Sequence, residues 1–462
     1  MPIPPPEVIS YFDAASPSYA SYPTVDRFRD AFAADHTFQA LAQCQYQAVA
    51  TVLPLSVCVY IAFGESVCHH CAGSASSTPY AHGQTYLRYL SREAELHMRH
   101  LGTGRWVCQL HLGGPSLNAL CDDELRELMK MLYSGFNFAP DGEYTIEVDP
   151  RTIDVARLRM LAELGFNRLS FDVQDFDPAV QQAVDCVHRI QPVEEVFSLV
   201  KSARFLGFRS VNLKLMFGLP QQTPESFNRT LAQITRLQPD RIALYAYTHL
   251  PQQFKSHRRT VLTELPTEDA KGLMLSRSLS AFKKAGYVHV GLDYFALPAD
   301  ALAIAKRQGR LHRNFLGYSA QPNCDLISLG VSAIGRVGAS YSQNAQTLKA
   351  YYSCLDQGHL PVVRGLLLTR DDMVRRSVIM ALICQGRLEF ESIGLAHLID
   401  FRSYFLNELT LLQGFQVEGL VEVSDTDLQI TTRGGHFARS VAAVFDRYLQ
   451  ADHIREKSFS MV

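Results

Sequence analysis

From about residue 55 the chain alternates short runs of β-branched and apolar residues with longer amphipathic stretches, and the alternation repeats at least six times. Runs that change face every second residue read as strands, and stretches with apolar positions three and four apart read as helices. Strands are expected at residues 56–62, 106–112, 143–148, 168–173, 210–217, 241–247 and 288–294. Helices are expected between them at 86–100, 123–133, 152–164, 193–206, 224–237 and 268–285. Gly165, Gly207 and Gly286 each follow an apolar-periodic run, as glycines that end helices do. The pattern implies an α/β fold on one parallel sheet, either a nearly closed barrel or an open doubly wound sheet, and the short connections favour the barrel. In both cases the chemistry belongs at the C-terminal strand ends.

The flanks read differently. Pro2, Pro4, Pro5 and Pro6 open a proline-rich arm, residues 16–24 lack periodicity and suit an extended strap, and a helix is expected near 37–47. After about residue 345 the strand alternation is expected to stop. Thr369-Arg370-Asp371-Asp372 caps a helix running to about Cys384, another helix is expected at 401–412, and 419–423 with 428–432 reads as a hairpin before a last helix. That order is winged-helix-like, but no basic recognition helix accompanies it, so it reads as a packing or partner surface and not as a DNA reader. The expected organisation is a strap and helix over 1–50, a β/α barrel over 51–345 and a helical domain over 346–462.

Composition narrows the class without adding to it. The 462 residues are 47% hydrophobic and 19% charged, an ordinary globular balance. With 44 basic residues against 46 acidic ones, no charge excess points to nucleic acid or an anionic membrane. No apolar run reaches the roughly 18 residues of a membrane span, and the N-terminus has no basic leader, so a cytoplasmic, monomeric protein is expected. Ten cysteines are too dilute for a disulfide scaffold. Only Cys68 and Cys71, a C-x-x-C in the loop after the first strand with His69 and His70 between them, have ligand-like spacing.

Seven blocks, taken in order, carry a family likeness: YASYPTVDRF at 19–28, IEVDP at 146–150, GFNRLS at 165–170, VQDF at 173–176, GLPQQTPESF at 218–227, LHRNFLGY at 311–318 and GVSAI at 330–334. With them the chain resembles, over almost its whole length, the oxygen-independent coproporphyrinogen III oxidases (dehydrogenases) of the radical S-adenosylmethionine superfamily. The resemblance implies an α/β fold with an open (β/α)6-type radical SAM barrel, an N-terminal strap and a C-terminal helical, winged-helix-like domain. It implies oxidative decarboxylation of coproporphyrinogen III to protoporphyrinogen IX in haem biosynthesis, a tetrapyrrole ligand, a 4Fe-4S cluster and S-adenosylmethionine. By the same resemblance Cys68 and Cys71 are cluster ligands, and Gly113, Gly114, Glu147, Gln174, Arg189 and Ile334 contact the cofactor.

The likeness departs from the family pattern at the chemistry itself. The first cysteine of the family's C-x-x-x-C-x-x-C loop is Gly64, which has no donor atom. A further family cysteine falls at Gly73, the aromatic before the third ligand at His70, and the first-strand tyrosine at Cys58. The glycine-rich loop reads Gly113-Gly114-Pro115-Ser116, shortened by a residue, and the aspartate before Gly218 is Lys214. Cys68 and Cys71 are read either as the remnant of a decayed loop or as a metal site completed by His69, His70 or Cys58. Lys214 is read either as an ion-pair partner of Glu147 or Asp172, or as a cation for a propionate. Arg168, Arg313 and His312 are candidate propionate or phosphate contacts, with structural pairing to Asp172, Asp175 or Asp293 as the alternative, and His249 lies just past a strand end. Two functions follow: a divergent oxidase with impaired or lost radical activity, or a catalytically inactive tetrapyrrole- or haem-binding protein or haem-pathway partner.

Overall fold

The computed structural model describes residues 19–32, 34–45, 53–61, 83–101, 104–114, 120–184, 190–249 and 262–452. Six parallel strands carry the fold: β1 (Leu55–Tyr60), β2 (Trp106–Gly113), β3 (Asn137–Val148), β4 (Arg168–Gln174), β5 (Ser210–Phe217) and β6 (Arg241–Ala246). All six lie where the apolar alternation places them. Their outward residues, among them Val57, Leu110, Ile146, Phe171, Leu213 and Leu244, are buried in one apolar core. That core is closed by helices including Gly83–Leu101, Asp122–Gly135, Val193–Phe205, Pro224–Leu237 and Glu268–Lys284. Gly165, Gly207 and Gly286 follow three of the helices with φ of 94°, 88° and 86°, the left-handed conformation that a side chain disfavours.

The sheet extends beyond the six units on both sides. The expected single strand at 288–294 is a hairpin of β7 (Val288–Gly291) and β8 (Tyr294–Ala296), turned at Leu292 with φ 42°. After a two-stranded ladder of β9 (His312–Asn314) and β10 (Gly317–Ser319) come β11 (Asp325–Leu329), β12 (Ile334–Val337), β13 (Ser340–Asn344) and β14 (Val362–Leu367). The strand order is β14-β13-β12-β11-β1-β2-β3-β4-β5-β6-β8-β7. β11 runs parallel to β1 and the outer strands antiparallel, so the barrel is open, with β14 and β7 as edges. Strand pairing therefore continues past residue 345, through β14.

From Tyr19 on, the strap runs between the sheet edge and the C-terminal residues. Tyr341 donates to the Tyr22 carbonyl at 3.2 Å, Tyr19 to Asp446 at 3.1 Å, and the Arg29 N–H to the Gly365 carbonyl at 2.8 Å. The C-terminal part packs its own core around the helix Arg370–Gln385, with Phe405 and Phe445 fully buried, and adds a sheet of Arg387–Glu389, Val421–Val423 and Asp427–Ile430. The helix expected at 401–412 is broken at Phe405, whose ring is held by Phe401 and Phe445 at 4.8 and 5.3 Å. Among the described residues no helix is long and apolar enough to cross a membrane.

One buried knot ties the helix Gly83–Leu101 to the ends of β1 and β11. Tyr86 donates to the Tyr60 carbonyl at 2.6 Å and accepts from the Val331 N–H at 3.1 Å. Glu93, fully buried, accepts from the Gly330 N–H, Asn344 and Tyr351 at 2.8, 2.6 and 2.5 Å. Burial pushes the Glu93 carboxyl up to about 7 against the pull of these three donors. A carboxyl whose pKa is higher in the folded than in the unfolded state takes up a proton on folding, so its contribution falls as pH rises from about 4.5 to about 7. Urea unfolding of the wild type and Glu93→Gln is expected to show the wild type losing up to about 3 kcal/mol relative to the variant across that window. A pH-independent difference between the two would refute this.

Candidate active site

Because side chains alternate across a strand, every second residue of β2 to β6 faces the concave side of the sheet. The set is polar: Gln109, His111 and Gly113 on β2; Glu143, Thr145 and Glu147 on β3; Arg168, Ser170 and Asp172 on β4; Ser210, Asn212 and Lys214 on β5; Arg241 on β6. Most of these residues line one cavity of about 60 Å³. At roughly 10–15 Å³ per water by the same measure, it holds about four to six waters.

At the C-terminal strand ends the charges meet. The Lys214 ammonium donates to Glu147 Oε1, and His111 Nε2 lies 3.4 Å from the same oxygen. Asp172 stands opposite Lys214 in the β4–β5 register and also accepts a hydrogen bond from Gln174. Burial alone would raise the Glu147 carboxyl, but the ammonium of Lys214 and the His111 contact reverse the effect and hold it well below the usual range. Lys214 is correspondingly pushed above its ordinary value, burial being outweighed by Glu147 and Asp172. Asp172 is pushed up, chiefly by burial. Of the two partners expected for Lys214, the structure selects Glu147 for the direct contact.

Two backbone features shape this rim. A side chain at Gly114 (φ 129°) would come within 2.2 Å of the Ile61 carbonyl, so only glycine lets β2 turn against β1 there. Gln174 ends β4 with φ 60°, a left-handed conformation uncommon outside glycine, where the β4–β5 register shifts. Gly113, Gly114, Glu147 and Gln174 thus share one rim. Ile334 stands apart, at the start of β12 among Phe28, Tyr341 and Leu366. Arg189, Cys68, Cys71 and Gly64, with His69, His70, Gly73, Pro115 and Ser116, lie outside the described residues.

The other candidates have structural partners. Arg168 pairs at 3.0 Å with Glu143 and not with Asp172, Asp175 or Asp293, because Thr145 is its register neighbour and Glu143 lies two residues back on the same face. Asp293 is engaged by Arg439. Arg313 stacks its guanidinium 4.7 Å above the Tyr318 ring and donates to the Tyr19 carbonyl at 3.3 Å. His249 Nδ1 lies 3.1 Å from the Tyr247 hydroxyl. Burial holds His312 below its ordinary pKa. Cys58 is buried, hydrogen-bonded to Ser328, and burial pushes its thiol up to about 12. Among the described residues no three His, Cys, Asp or Glu side chains are grouped to hold a metal. Sequence reasoning missed His111, although its place two residues before Gly113 puts it on the same face.

This arrangement has known counterparts. A profile of the Radical SAM superfamily matches residues 61–234. The chain is 42% identical over 459 residues to the oxygen-independent coproporphyrinogen III oxidase of Pseudomonas aeruginosa, covering 99% of this chain and 98% of the relative. The chain belongs to the oxygen-independent coproporphyrinogen III oxidase family. The Escherichia coli member is 40% identical over 98% of this chain and 97% of its own length. A solved structure of coproporphyrinogen III oxidase from Escherichia coli, described as a radical SAM enzyme, superposes with a TM-score of 0.87 at 39% identity, covering 93% of this chain and 97% of that one. The open α/β barrel read from the sequence is the fold of this family.

The Glu147–Lys214 pair sets a measurable expectation. Glu147 contributes stability above about 4.5 that is lost as pH falls, and Lys214 contributes stability below about 10.5 that is lost as pH rises further, so the pair is intact across the neutral range. Both side chains keep about a quarter of their surface open to the cavity, at 24% and 28%, which moderates the coupling. A double-mutant cycle with Lys214→Met and Glu147→Gln is expected to give a coupling of about 1–3 kcal/mol at pH 7. A coupling near zero would show that the two side chains do not depend on each other.

Proposed function

We propose that this chain is a divergent coproporphyrinogen III oxidase family member in which the radical step is impaired or lost. The observation that carries the reading is the Lys214–Glu147 pair at the C-terminal strand ends. By the family resemblance Glu147 faces the cofactor and Lys214 stands where an aspartate is expected. A lysine there repels the sulfonium of S-adenosylmethionine and already occupies the carboxylate that would face it.

The donor set for a cluster is short in the same way. Clusters of this kind are held by thiolates, and the chain offers Cys68 and Cys71 with Gly64 at the first position. The residues present do not fit either group, so no reaction step is assigned to them. A second reading, a tetrapyrrole- or haem-binding protein or a haem-pathway partner, is favoured by the retained Gly113-Gly114 turn and the Gln174–Asp172 contact, a frame kept after its charge has changed.

Anaerobic reconstitution with iron and sulfide is expected to leave the protein short of a full cluster and unable to cleave S-adenosylmethionine. Gly64→Cys alone should raise iron content without cleavage, and Gly64→Cys combined with Lys214→Asp should restore some cleavage. A full complement of cluster iron together with S-adenosylmethionine cleavage in the unaltered protein would overturn the proposal. Saturable porphyrin binding by the iron-free protein would support the second reading.

A further inference from the structure

The C-terminal part carries an apolar surface that its own core does not use. Met373, Leu395, Leu398, Tyr404 and Leu406 are between 38% and 83% exposed, and Leu411 and Val417 stay exposed beyond them. Contacts gather the first five at one corner. Arg370, which opens the helix Arg370–Gln385, donates to the carbonyls of His397 at 2.9 Å and Leu398 at 3.4 Å, and Tyr404 donates to Asp371 at 2.6 Å. Met373 lies three residues after Arg370 and so on the same side of that helix. Leu406, next to Tyr404, faces outward because Phe401, Phe405, Glu408, Leu412 and Phe415, spaced alternately four and three apart, are the buried set. Two charges of opposite sign flank Leu398. Arg370 has the two carbonyls and Asp400 caps the Ser403 N–H at 2.8 Å, and neither makes an ion pair among the described residues. The neighbouring charges are engaged elsewhere: Asp371 with Arg375 and Arg447, Glu408 with Arg375, and Arg402 with Asp425. Glu391, one turn before Leu395, marks the border.

Nucleic acid and anionic membranes are met by basic surfaces, and one arginine among five apolar side chains does not make one. The corner has instead the composition of a protein interface, apolar and aromatic at its centre with few charges. Its exposed apolar surface amounts to several hundred Å², the order of the roughly 800 Å² per partner of a standard interface. A second copy of the chain satisfies the charges as well. A two-fold axis sets the same patch on both sides, so that a residue flanking the axis meets the residue flanking it on the opposite side. With the axis at Leu398, Arg370 of each protomer faces Asp400 of the other. We propose that the chain forms a two-fold homodimer through this corner, with Met373, Leu395, Leu398, Tyr404 and Leu406 packed across the axis and two Arg370–Asp400 ion pairs at the rim. None of these residues lines the barrel cavity, so the dimer is independent of the fate of the radical step.

The test is sedimentation velocity of the full chain over loading concentrations from about 1 to about 200 μM. A shift from monomer to dimer with a micromolar Kd is expected. Leu398→Glu combined with Leu406→Glu, both at exposed positions, should raise that Kd about a hundred-fold. Phe205→Glu, at a position 89% exposed on another helix, should leave it unchanged. Arg370→Glu and Asp400→Lys should each weaken the dimer about ten-fold, and the two together should return it to within about two-fold of the wild type. Thermal unfolding of every variant, run where all are monomeric, separates a lost interface from a lost fold. A wild type that remains a monomer at about 200 μM would overturn the proposal. A dimer indifferent to the changes at Leu398 and Leu406 would overturn it, as would a double charge swap no tighter than either single one.

Discussion

The pairing of inward-facing charge is the constraint on which this barrel depends. A parallel sheet covered by helices on one side has its apolar residues committed to that side, so the alternation turns polar residues toward the other. Here the register places His111, Thr145, Arg168 and Ser210 in a lower tier, Glu147, Ser170, Asn212 and Arg241 in a middle one, and Asp172 and Lys214 in an upper one. Each tier lies at a fixed height because the register fixes it. A charge in such a setting has to find a partner within the fold or be stranded away from water.

That constraint also explains what was legible in the sequence. The strands and the helix ends could be read because they depend on local pattern: apolar alternation, amphipathic spacing and glycine after the last turn. The face on which Lys214 and Glu147 lie was legible for the same reason, and so was the need for an ion pair. The identity of partners was less so. Arg168 goes to Glu143, and not to the aspartates nearer in sequence, because register across β3 and β4 decides the distance and the alternation of one strand says nothing about its neighbour's stagger. His111 was missed on the same ground, since its significance lies in reaching Glu147 on the next strand.

The antiparallel extension was the least legible part of the fold. β11 to β14 carry Ser328, Arg336, Ser340, Gln343 and Asn344, all buried, at positions where an apolar alternation would be expected. Most of their polar groups are satisfied within the fold, as in Ser328 donating to the Ile334 carbonyl at 2.7 Å and Arg364 donating to Gln343 at 2.6 Å, while Arg336 Nε meets no acceptor. Polar residues satisfied by tertiary partners look like loop residues in a sequence. The knot around Glu93 is a further case: its three donors come from residues more than two hundred positions away.

On the proposed reading, Gly64 and Lys214 are two sides of one physical change. A pocket built to receive a cation has to keep carboxylates poised and incompletely paired when the cation is absent, and buried carboxylates without partners lower the stability of the empty protein. Once the thiolate set no longer holds a cluster, that instability supports no function. A lysine two strands away removes it by neutralising Glu147 from within, and the surrounding frame of Gly113, Gly114 and Gln174 need not move. The order of events has a consequence for repair. A cysteine restored at position 64 returns a ligand to the loop, while the pocket stays closed electrostatically until Lys214 is also replaced. The stability gained from the ion pair is then what renewed cofactor binding has to overcome, and the free energy of that pair sets how far the protein stands from its relatives' chemistry.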